Sequence, residues 1–364
     1  MAKIITVYTS REHKLINMSY IRWYKISEAL ARLGHRVDIA ANEFSRWSFW
    51  RKKSPIIIGN NLRKVPLLNV RWSDYDIVKA LYGEGFDNLK RYGGIDHPFI
   101  ISRLGTVVGP NDMEGIYFYG KKRERSHSRQ KKIDETSKYI AVLNASAKKL
   151  WNTCFGPRNN ILIIPGATDR SVPHPTYDPY PNEYKIRCIF AGNLFKRTYA
   201  PEANTSIIEK LNTLGELLSC RGARLYIIGP GDTRNLDTRY VTHLGVVPYE
   251  KTWNYLYYAH VGVEIVKRGK FMHNNESSKL YHYLRAGLPV VSEDGIPNNN
   301  LIEESKLGFT VPGGKLELMA EKIEEAASKE WDKDYAINYI LDNHTWDKRA
   351  EIYHKIINRS SKES

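Results

Sequence analysis

The chain has 364 residues, which is long enough for two domains of ordinary size, each with its own core. Hydrophobic residues make up 42% and charged residues 26% of it, so the composition excludes wholesale disorder. The net charge is +15, and the three cysteines are widely spaced without metal-ligand spacing, which is typical of reduced residues in a cytoplasmic protein. The sequence shows neither a secretion signal nor an apolar run of about 18 residues that would span a bilayer.

The whole excess of positive over negative charge lies in the first half of the chain. Residues 1–170 hold 30 Lys and Arg against 15 Asp and Glu, whereas residues 171–364 hold 25 of each. This asymmetry indicates that one half faces a polyanion, although a basic surface that aids solubility is the plainer alternative. Residues 44–53, "FSRWSFWRKK", mix aromatic and basic side chains, and residues 121–132, "KKRERSHSRQKK", predict a mobile loop or the polar start of a helix.

Strand-like and helical segments alternate through the first half. Lys3 to Thr9 predicts a strand, and Tyr20 to Leu33 has helical spacing and ends at Gly34. Further compact apolar runs are "HRVDIAA", "DYDIVKAL", "HPFIISRLG", "SKYIAVLN" and "NILIIPG". Strands that alternate with helices predict a parallel sheet covered on both faces.

The pattern breaks once and then restarts. Residues 167–184 hold four prolines and no periodicity, which predicts a linker, and strand and helix patterns then alternate again. We therefore predict an α/β fold of two tandem Rossmann-like, doubly wound domains that face each other across a cleft, where chemistry is expected. The predicted parts are an acceptor-binding domain at 1–168, a linker at 169–184, a ligand-binding domain at 185–340, and a C-terminal helix at 341–364 that packs back toward the first domain.

A polar stretch opens a predicted helix in the second domain, in "NNESSKLYHYLRAGLPVVSEDG" at 274–295. Ser277, Ser278 and Lys279 stand where the helix begins, and Gly287 ends it. A helix start leaves amide N–H groups unpaired and carries partial positive charge, which suits a phosphate. A serine-capped surface helix with an incidental lysine is the alternative interpretation.

Neighbouring segments of the second domain carry further candidate ligand contacts. The turn in "FAGNLFKR" is followed by two cations that can reach a diphosphate, "LGVVPYE" can cradle a flat base, and the carboxylates of "NNLIEES" can accept sugar hydroxyls. The residues concerned are Gly192, Asn193, Lys196, Arg197, Val247, Pro248, Tyr249, Glu303 and Glu304.

The order of "FAGNLFK", "LYIIGPG", "HLGVVPYE" and "SSKLYHYLRAGLPVVSEDG" resembles the nucleotide-sugar-binding domain of GT-B-fold glycosyltransferases, in particular the large group called glycosyltransferase family 4 or group 1. The resemblance covers nearly the whole chain and is most specific over about 190–312. It implies a transferase that moves a sugar from a UDP- or GDP-sugar to a glycan or lipid-linked acceptor in cell-surface polysaccharide or glycolipid biosynthesis. Ser278 and Lys279 match the diphosphate-contacting "SK" of the family.

The chain departs from the family at two acidic positions. Asn274 and His282 stand where many relatives carry the glutamates of an E-x7-E pattern, of which the second binds the donor's ribose. These neutral residues can still contact hydroxyls, and Glu303 matches a glutamate that the family often has before its "GF" segment. The departure keeps open a second hypothesis, a catalytically degenerate sugar-binding subunit of the same fold.

The acceptor side departs as well. Many retaining relatives carry a histidine where this chain has Arg103, which can bind a phosphate but cannot act as a base. The candidate bases for an inverting reaction are Glu84, His97, Asp112 and Glu114. Whether the reaction retains or inverts the anomeric configuration stays open.

The resemblance and the charge pattern also predict cofactors and partners. We expect no cofactor and no metal, because the leaving diphosphate can be stabilised by helix ends and cations. The basic half is expected to dock on the anionic cytoplasmic face of the membrane. Nucleic-acid binding is disfavoured because no nucleic-acid module is visible, and a dehydrogenase is disfavoured because no GxGxxG follows a strand.

Overall fold

The computed structural model describes residues 1–8, 18–41, 56–109, 120–181, 184–194, 201–266 and 274–360. These residues form two compact units. The first unit contains the described residues up to Asp169 together with those from Trp346 onward, and the second unit contains those of Arg170–Thr345. The prediction of two Rossmann-like α/β domains is confirmed, since each unit is built on its own sheet of mainly parallel strands.

The first unit has an eight-stranded sheet. Its strands are β1 (Lys3–Val7), β2 (Arg36–Ala41), β3 (Ile56–Gly59), β4 (Leu62–Pro66), β5 (Ile77–Leu81), β6 (Ile100–Arg103), β7 (Tyr139–Val142) and β8 (Ile161–Ile163). They lie in the order β3-β4-β2-β1-β5-β6-β7-β8, and all neighbours are parallel except β3 and β4. The chain runs outward in both directions from β1 and β5, so the topological switch point lies between these two strands.

Helices cover both faces of the first sheet. They are α1 (Met18–Arg32), α2 (Tyr82–Arg91), α3 (Gly120–Thr136), α4 (Ala145–Phe155) and α11 (Trp346–Ser360). Successive strand residues point to opposite faces, so Ile4 enters a core with α1 and α11, whereas Ile5 enters a second core with Leu89 of α2. Arg32 of α1 donates to Asp347 of α11 at 2.6 Å, which ties the last helix to the first.

The second unit has a six-stranded sheet in which all neighbouring strands are parallel. Its strands are β9 (Ile186–Ala191), β10 (Ala223–Ile228), β11 (Val241–His243), β12 (Val261–Glu264), β13 (Val290–Glu293) and β14 (Gly308–Val311). Their order, β11-β10-β9-β12-β13-β14, is the 3-2-1-4-5-6 order of the Rossmann fold. The switch point therefore lies between β9 and β12.

Six helices accompany the second sheet in the described part of the chain. They are α5 (Pro201–Ser219), α6 (Tyr249–Tyr258), α7 (Ser278–Arg285), α8 (Asn300–Glu304), α9 (Leu316–Ser328) and α10 (Lys333–Asn343). The proline-rich segment packs on α6, because the Thr176 N–H donates to Asn254 Oδ1 at 3.1 Å and the Tyr180 hydroxyl donates to Tyr255 O at 2.8 Å.

The structure adds detail that the sequence pattern leaves open. The charged run at 121–132 lies within α3, so it is helical. Strands β3 and β4 form an antiparallel pair that the apolar pattern does not reveal, since β4 reads "LRKVP" with two basic residues inside it. Of the helices that the structure describes, none combines the length and the apolar character needed to cross a bilayer.

Candidate functional site

The hydroxyl of Tyr283 separates β9 from β12 at the carboxyl edge of the second sheet. The two strands pair at Cys188–Val261 and Ile189–Gly262, and the Tyr283 hydroxyl lies just beyond. It accepts from the Ala191 N–H at 2.7 Å and donates to Ile189 O at 3.2 Å. The hydroxyl thus satisfies backbone groups at the switch point, the place where doubly wound sheets bind ligands.

Two glycines leave space for side chains at this edge. A Cβ at Gly262 would lie 2.6 Å from the Tyr283 ring, so glycine is required there. A Cβ at Gly192 would lie 2.8 Å from the Phe190 ring and 3.3 Å from Lys279 Cε. Gly192, in the turn after β9, therefore lies next to the Lys279 side chain at the start of α7.

Lys279 is held at this edge by a buried carboxylate. Its Nζ lies 2.9 Å from Glu264 Oε2, at the end of β12, and 5.0 Å from the ring centroid of Phe190. The Lys279 side chain is 13% exposed and that of Glu264 only 2%, so the carboxylate is buried whereas the ammonium keeps some access to solvent.

The helix start itself is left uncapped by side chains. Ser277 is the N-cap residue of α7, but its Oγ donates to Glu264 Oε2 at 2.7 Å instead of accepting from a helix amide. The peptide of Ser277 is clamped by Asn298, which accepts from its N–H and donates to its carbonyl, both at 2.9 Å. The first-turn amides of α7 therefore keep their positive partial charge for an anion.

His282 lies one turn further along α7, inside an aromatic cluster. Its Nε2 is 3.3 Å from the Tyr249 hydroxyl, and its ring packs edge-on against Trp253 at 5.7 Å. Burial, with the nearby charge of Lys279, lowers the pKa of His282 to about 4, so the ring is neutral at pH 7. His282 thereby connects the predicted base-binding segment to the helix that carries Lys279.

The other predicted donor residues surround this arrangement or lie outside the described residues. Asn193 is exposed next to Gly192, Val247 is half-buried and Pro248 is exposed in the loop before α6. Asn274 is buried just before the α7 cap, and Glu303 is exposed in α8. Lys196 and Arg197 are not among the described residues. The diphosphate and ribose roles given to these residues stay predictions.

The acceptor-side candidates lie at different edges of the first sheet. Arg103 ends β6 and Glu84 is exposed in the first turn of α2, so both lie at the carboxyl edge. His97 precedes β6 at the opposite edge, where its ring bonds to Tyr75 O at 2.9 Å and accepts from the Phe99 N–H at 3.1 Å. The structure does not bring His97 together with the other two.

Asp112 and Glu114, the remaining candidate bases, lie outside the described residues. Among the residues that the structure does describe, no group of three or more His, Cys, Asp or Glu side chains is placed to hold a metal ion.

Sequence reasoning missed Glu264, Asn298 and Tyr283. A usable signal exists for Glu264, because "VGVEIV" places a carboxylate inside an otherwise apolar strand, where a charge needs a partner. Asn298 and Tyr283 carry no such signal, since their bonds depend on loops and strands far away in the sequence.

The second unit matches a known protein family. Residues 188–336 match the family described as "Glucosyltransferase 3-like, C-terminal domain". No curated protein sequence matches the chain.

Solved structures share the fold over the whole chain. The sucrose-phosphate synthase of Thermosynechococcus elongatus superposes with a TM-score of 0.73 at 12% identity, covering 100% of both chains. HepE of Anabaena, solved with UDP and glucose, gives 0.68 at 10% identity and covers 99% of this chain and 100% of its own. WaaG, a glycosyltransferase involved in lipopolysaccharide biosynthesis, gives 0.66 at 12% identity and covers 98% and 99%.

These matches test the resemblance that the sequence motifs suggest. The similar structures are two-domain GT-B proteins, and the matched domain is that of a glucosyltransferase. The resemblance is therefore confirmed: the chain has the GT-B fold, and the match of residues 188–336 to a glucosyltransferase 3-like domain supports a glycosyltransferase.

Proposed function

We propose that this chain transfers a glycosyl group from a UDP- or GDP-linked sugar to a glycan or lipid-linked acceptor in the synthesis of a cell-surface polysaccharide or glycolipid. The observation that carries the proposal is the placement of Lys279, beside Gly192 and the uncapped start of α7, at the switch point of the second sheet. UDP-glucose is the first donor to test, because HepE was solved in complex with UDP-glucose and the matched domain is that of a glucosyltransferase.

The chemistry assigned to this site is electrostatic stabilisation of the leaving diphosphate. Bond cleavage at the anomeric carbon leaves negative charge on the diphosphate, and the α7 amides and the Lys279 ammonium lie where that charge develops. Glu264 fixes the ammonium in place before the donor binds, so little reorganisation is needed. Three ammonium protons allow Lys279 to bind Glu264 and a phosphate oxygen together.

A double variant tests this assignment and is expected to keep the fold. Lys279→Met combined with Glu264→Gln removes the cation and its buried partner charge together, so no unpaired charge is left behind. We expect UDP to raise the melting temperature of the wild-type protein and to have no effect on the double variant. Lys322→Met, which removes a half-buried cation paired with Glu325 at 2.6 Å, serves as the control and should respond like wild type.

Turnover separates the enzyme from a sugar-nucleotide-binding subunit. Release of UDP from UDP-glucose, or of GDP from a GDP-sugar, should be measurable in the wild-type protein and lost in the double variant. Binding of donor without any turnover, with acceptor extracts supplied, would favour the catalytically degenerate subunit. A protein that responds to neither nucleotide would contradict the donor site.

The proposal includes catalysis without a divalent metal. The positive charge at the diphosphate comes from the protein, through Lys279 and the helix amides. Full turnover in excess chelator is the expected result, and activity that returns only when Mg²⁺ or Mn²⁺ is added would contradict it.

The proposal also places the protein at the cytoplasmic membrane face, through a basic surface of α3. Exposed cations on this helix are Lys121, Lys122, Arg125, Lys131 and Lys132. At 3.6 residues per turn all of these except Lys131 fall within a sector of about 100°, which borders the face of the buried Ser126, Gln130 and Ile133. Each such cation contributes about 1 kcal/mol near an anionic surface.

Vesicle sedimentation at low salt tests this surface. Wild-type protein should pellet with vesicles rich in phosphatidylglycerol and stay in solution with neutral ones. Lys132→Glu should weaken binding roughly tenfold, because it reverses a charge inside the sector. Lys131→Glu is the matched control, since the neighbouring exposed lysine lies outside the sector. Equal losses in both variants would contradict a defined α3 surface.

A further inference from the structure

Three cations lie buried together at the carboxyl end of the first sheet. Lys79 of β5 and Arg103 of β6 are each 1% exposed, and Arg22 of α1 is 8% exposed. Burial, followed by the charges of Arg103 and Arg22, lowers the pKa of Lys79 to about 7. Buried charges normally lie beside opposite charges, whereas the charges that act on Lys79 here have the same sign.

Strand register explains why these side chains meet. Lys79 is opposite Ile101, and Leu81 is opposite Arg103, in the parallel pair of β5 and β6. Residues two apart on a strand share a face, so Lys79 and Arg103 project from the same side of the sheet. Leu81 and Ile101 enter the core that α1 and α11 cover, and the two cations lie on that same side.

Two buried donors in this cluster lack a hydrogen-bond acceptor in the described part of the chain. They are Lys79 Nζ and the hydroxyl of Tyr353 in α11. Tyr353 is fully buried, and the Lys79 ammonium lies 4.7 Å from the centre of its ring. Burial raises the pKa of Tyr353 to about 12, so its hydroxyl keeps the proton and can donate it to an acceptor.

Tyr82 forms the half-buried side of the cluster. Its hydroxyl accepts from Arg22 Nη1 at 2.9 Å. Burial opposes ionisation, but the charges of Arg22 and Arg103 lower the pKa of Tyr82. Tyr82 also has φ of 56°, a left-handed conformation that is unfavourable for a tyrosine, and strained residues of this kind cluster at functional sites.

We propose that these three cations, with the hydroxyls of Tyr82 and Tyr353, form a binding site for a phosphate-type oxyanion. Guanidinium groups bind such anions through paired N–H donors, and a lysine adds a point charge, so the set matches this chemistry. Within the proposed transfer reaction, on which this last step rests, the anion is a phosphate group of the acceptor. The acceptor class is then a phosphorylated glycan or lipid.

Phosphate binding to Lys79→Met tests the site. Inorganic phosphate should raise the melting temperature of the wild-type protein, and this shift should be lost in the variant. The phosphate-free variant should be at least as stable as wild type, because an uncompensated buried charge has been removed. A lysine with a purely structural role predicts the reverse, a less stable variant that still responds to phosphate, and that result would overturn the proposal.

Lys138→Met is the matched control. Lys138 also belongs to the first unit and also lies over an aromatic ring, 4.5 Å from the centre of Phe99, but it is exposed and precedes β7 at the other edge. Its phosphate response should equal that of wild type. If Lys79→Met does not fold, Tyr353→Phe is the variant to test. It removes one hydroxyl and should weaken phosphate binding several-fold. An unchanged affinity would count against the site.

Two further arms identify the source of the anion and separate this site from the donor site. Propyl phosphate that binds as well as inorganic phosphate supports an acceptor-borne phosphate, whereas binding of inorganic phosphate alone overturns the acceptor assignment and leaves a free-anion site. The phosphate response should persist in Lys279→Met/Glu264→Gln, and the UDP response should persist in Lys79→Met. A missing melting-temperature shift with UDP therefore contradicts the donor site, and a missing shift with phosphate contradicts the anion site.

Discussion

Glu264 Oε2 lies 2.9 Å from Lys279 Nζ, so the cation at the start of α7 is already paired before any donor arrives. The same carboxylate accepts from Ser277 Oγ at 2.7 Å, which draws the cap hydroxyl away from the helix amides. One buried residue thus orients the lysine and leaves the helix end free. This relationship makes Glu264 a positioning residue and allows its structural and functional effects to be separated.

Breaking this pair from one side should destabilise the protein. Lys279→Met leaves a buried carboxylate without its cation, which typically costs about 3–5 kcal/mol of unfolding free energy. Adding Glu264→Gln should restore most of that loss. Urea unfolding of the two single variants and the double variant measures the coupling, and additive losses would show that the two residues do not interact.

Tyr283→Phe tests the separation of β9 and β12. The variant leaves the part-buried Ala191 N–H without its acceptor, so we expect a loss of about 1–3 kcal/mol in unfolding free energy. Tyr335→Phe, at a residue 42% exposed, should change stability by less than about 0.5 kcal/mol. Equal stabilities for the two variants would show that the Tyr283 hydroxyl does not hold the switch point.

Anion binding to the Lys79 cluster should weaken as pH rises through 7. The Lys79 pKa of about 7 means that the free protein loses this charge above neutrality, while Arg22 and Arg103 stay charged. Sulfate is the suitable probe because its own charge is constant in this range. Calorimetric titration from pH 6 to 9 should show falling affinity in the wild-type protein, whereas Lys79→Met should show no pH-dependent binding. An equally flat wild-type profile would remove Lys79 from the site.

The stability of the first unit should fall in mild acid. His35 Nδ1 accepts from the Ala2 N–H at 3.2 Å, and its Nε2 lies 2.8 Å from His354 Nδ1. Burial and the nearby His354 lower the pKa of His35 to about 4, so the unfolded chain binds a proton more readily than the folded one. His35 therefore stabilises the fold above pH 6.5, and this contribution is lost as pH falls toward 4.

Urea midpoints between pH 7 and pH 4 measure this effect. Burial also lowers the pKa of His282 and of His260, so the wild-type slope contains contributions from all three histidines. His35→Gln keeps a donor and an acceptor without a titrating proton, and it should remove the His35 share of the slope. A variant with the full wild-type slope would contradict the role of His35.

The sequence by itself determined the elements of the second unit and the polar start of its helix α7. Apolar residues at periods of 2 and 3.6 are local signals, so β1, α1 and the β12–α7–β13 succession could be predicted. The serine and lysine at 278 and 279 are also local, because the helix start and its charge lie within one turn.

Only the tertiary structure decided which charges meet. Glu264 and Lys279 come together because β12 ends beside the start of α7, and Lys79 meets Arg103 because of the register between β5 and β6. His97, which the sequence offers as an equal candidate, lies at the opposite edge because it precedes its strand instead of following it. The interaction between two charges depends on their distance and burial, and both are set by the packing of segments that are separated along the chain.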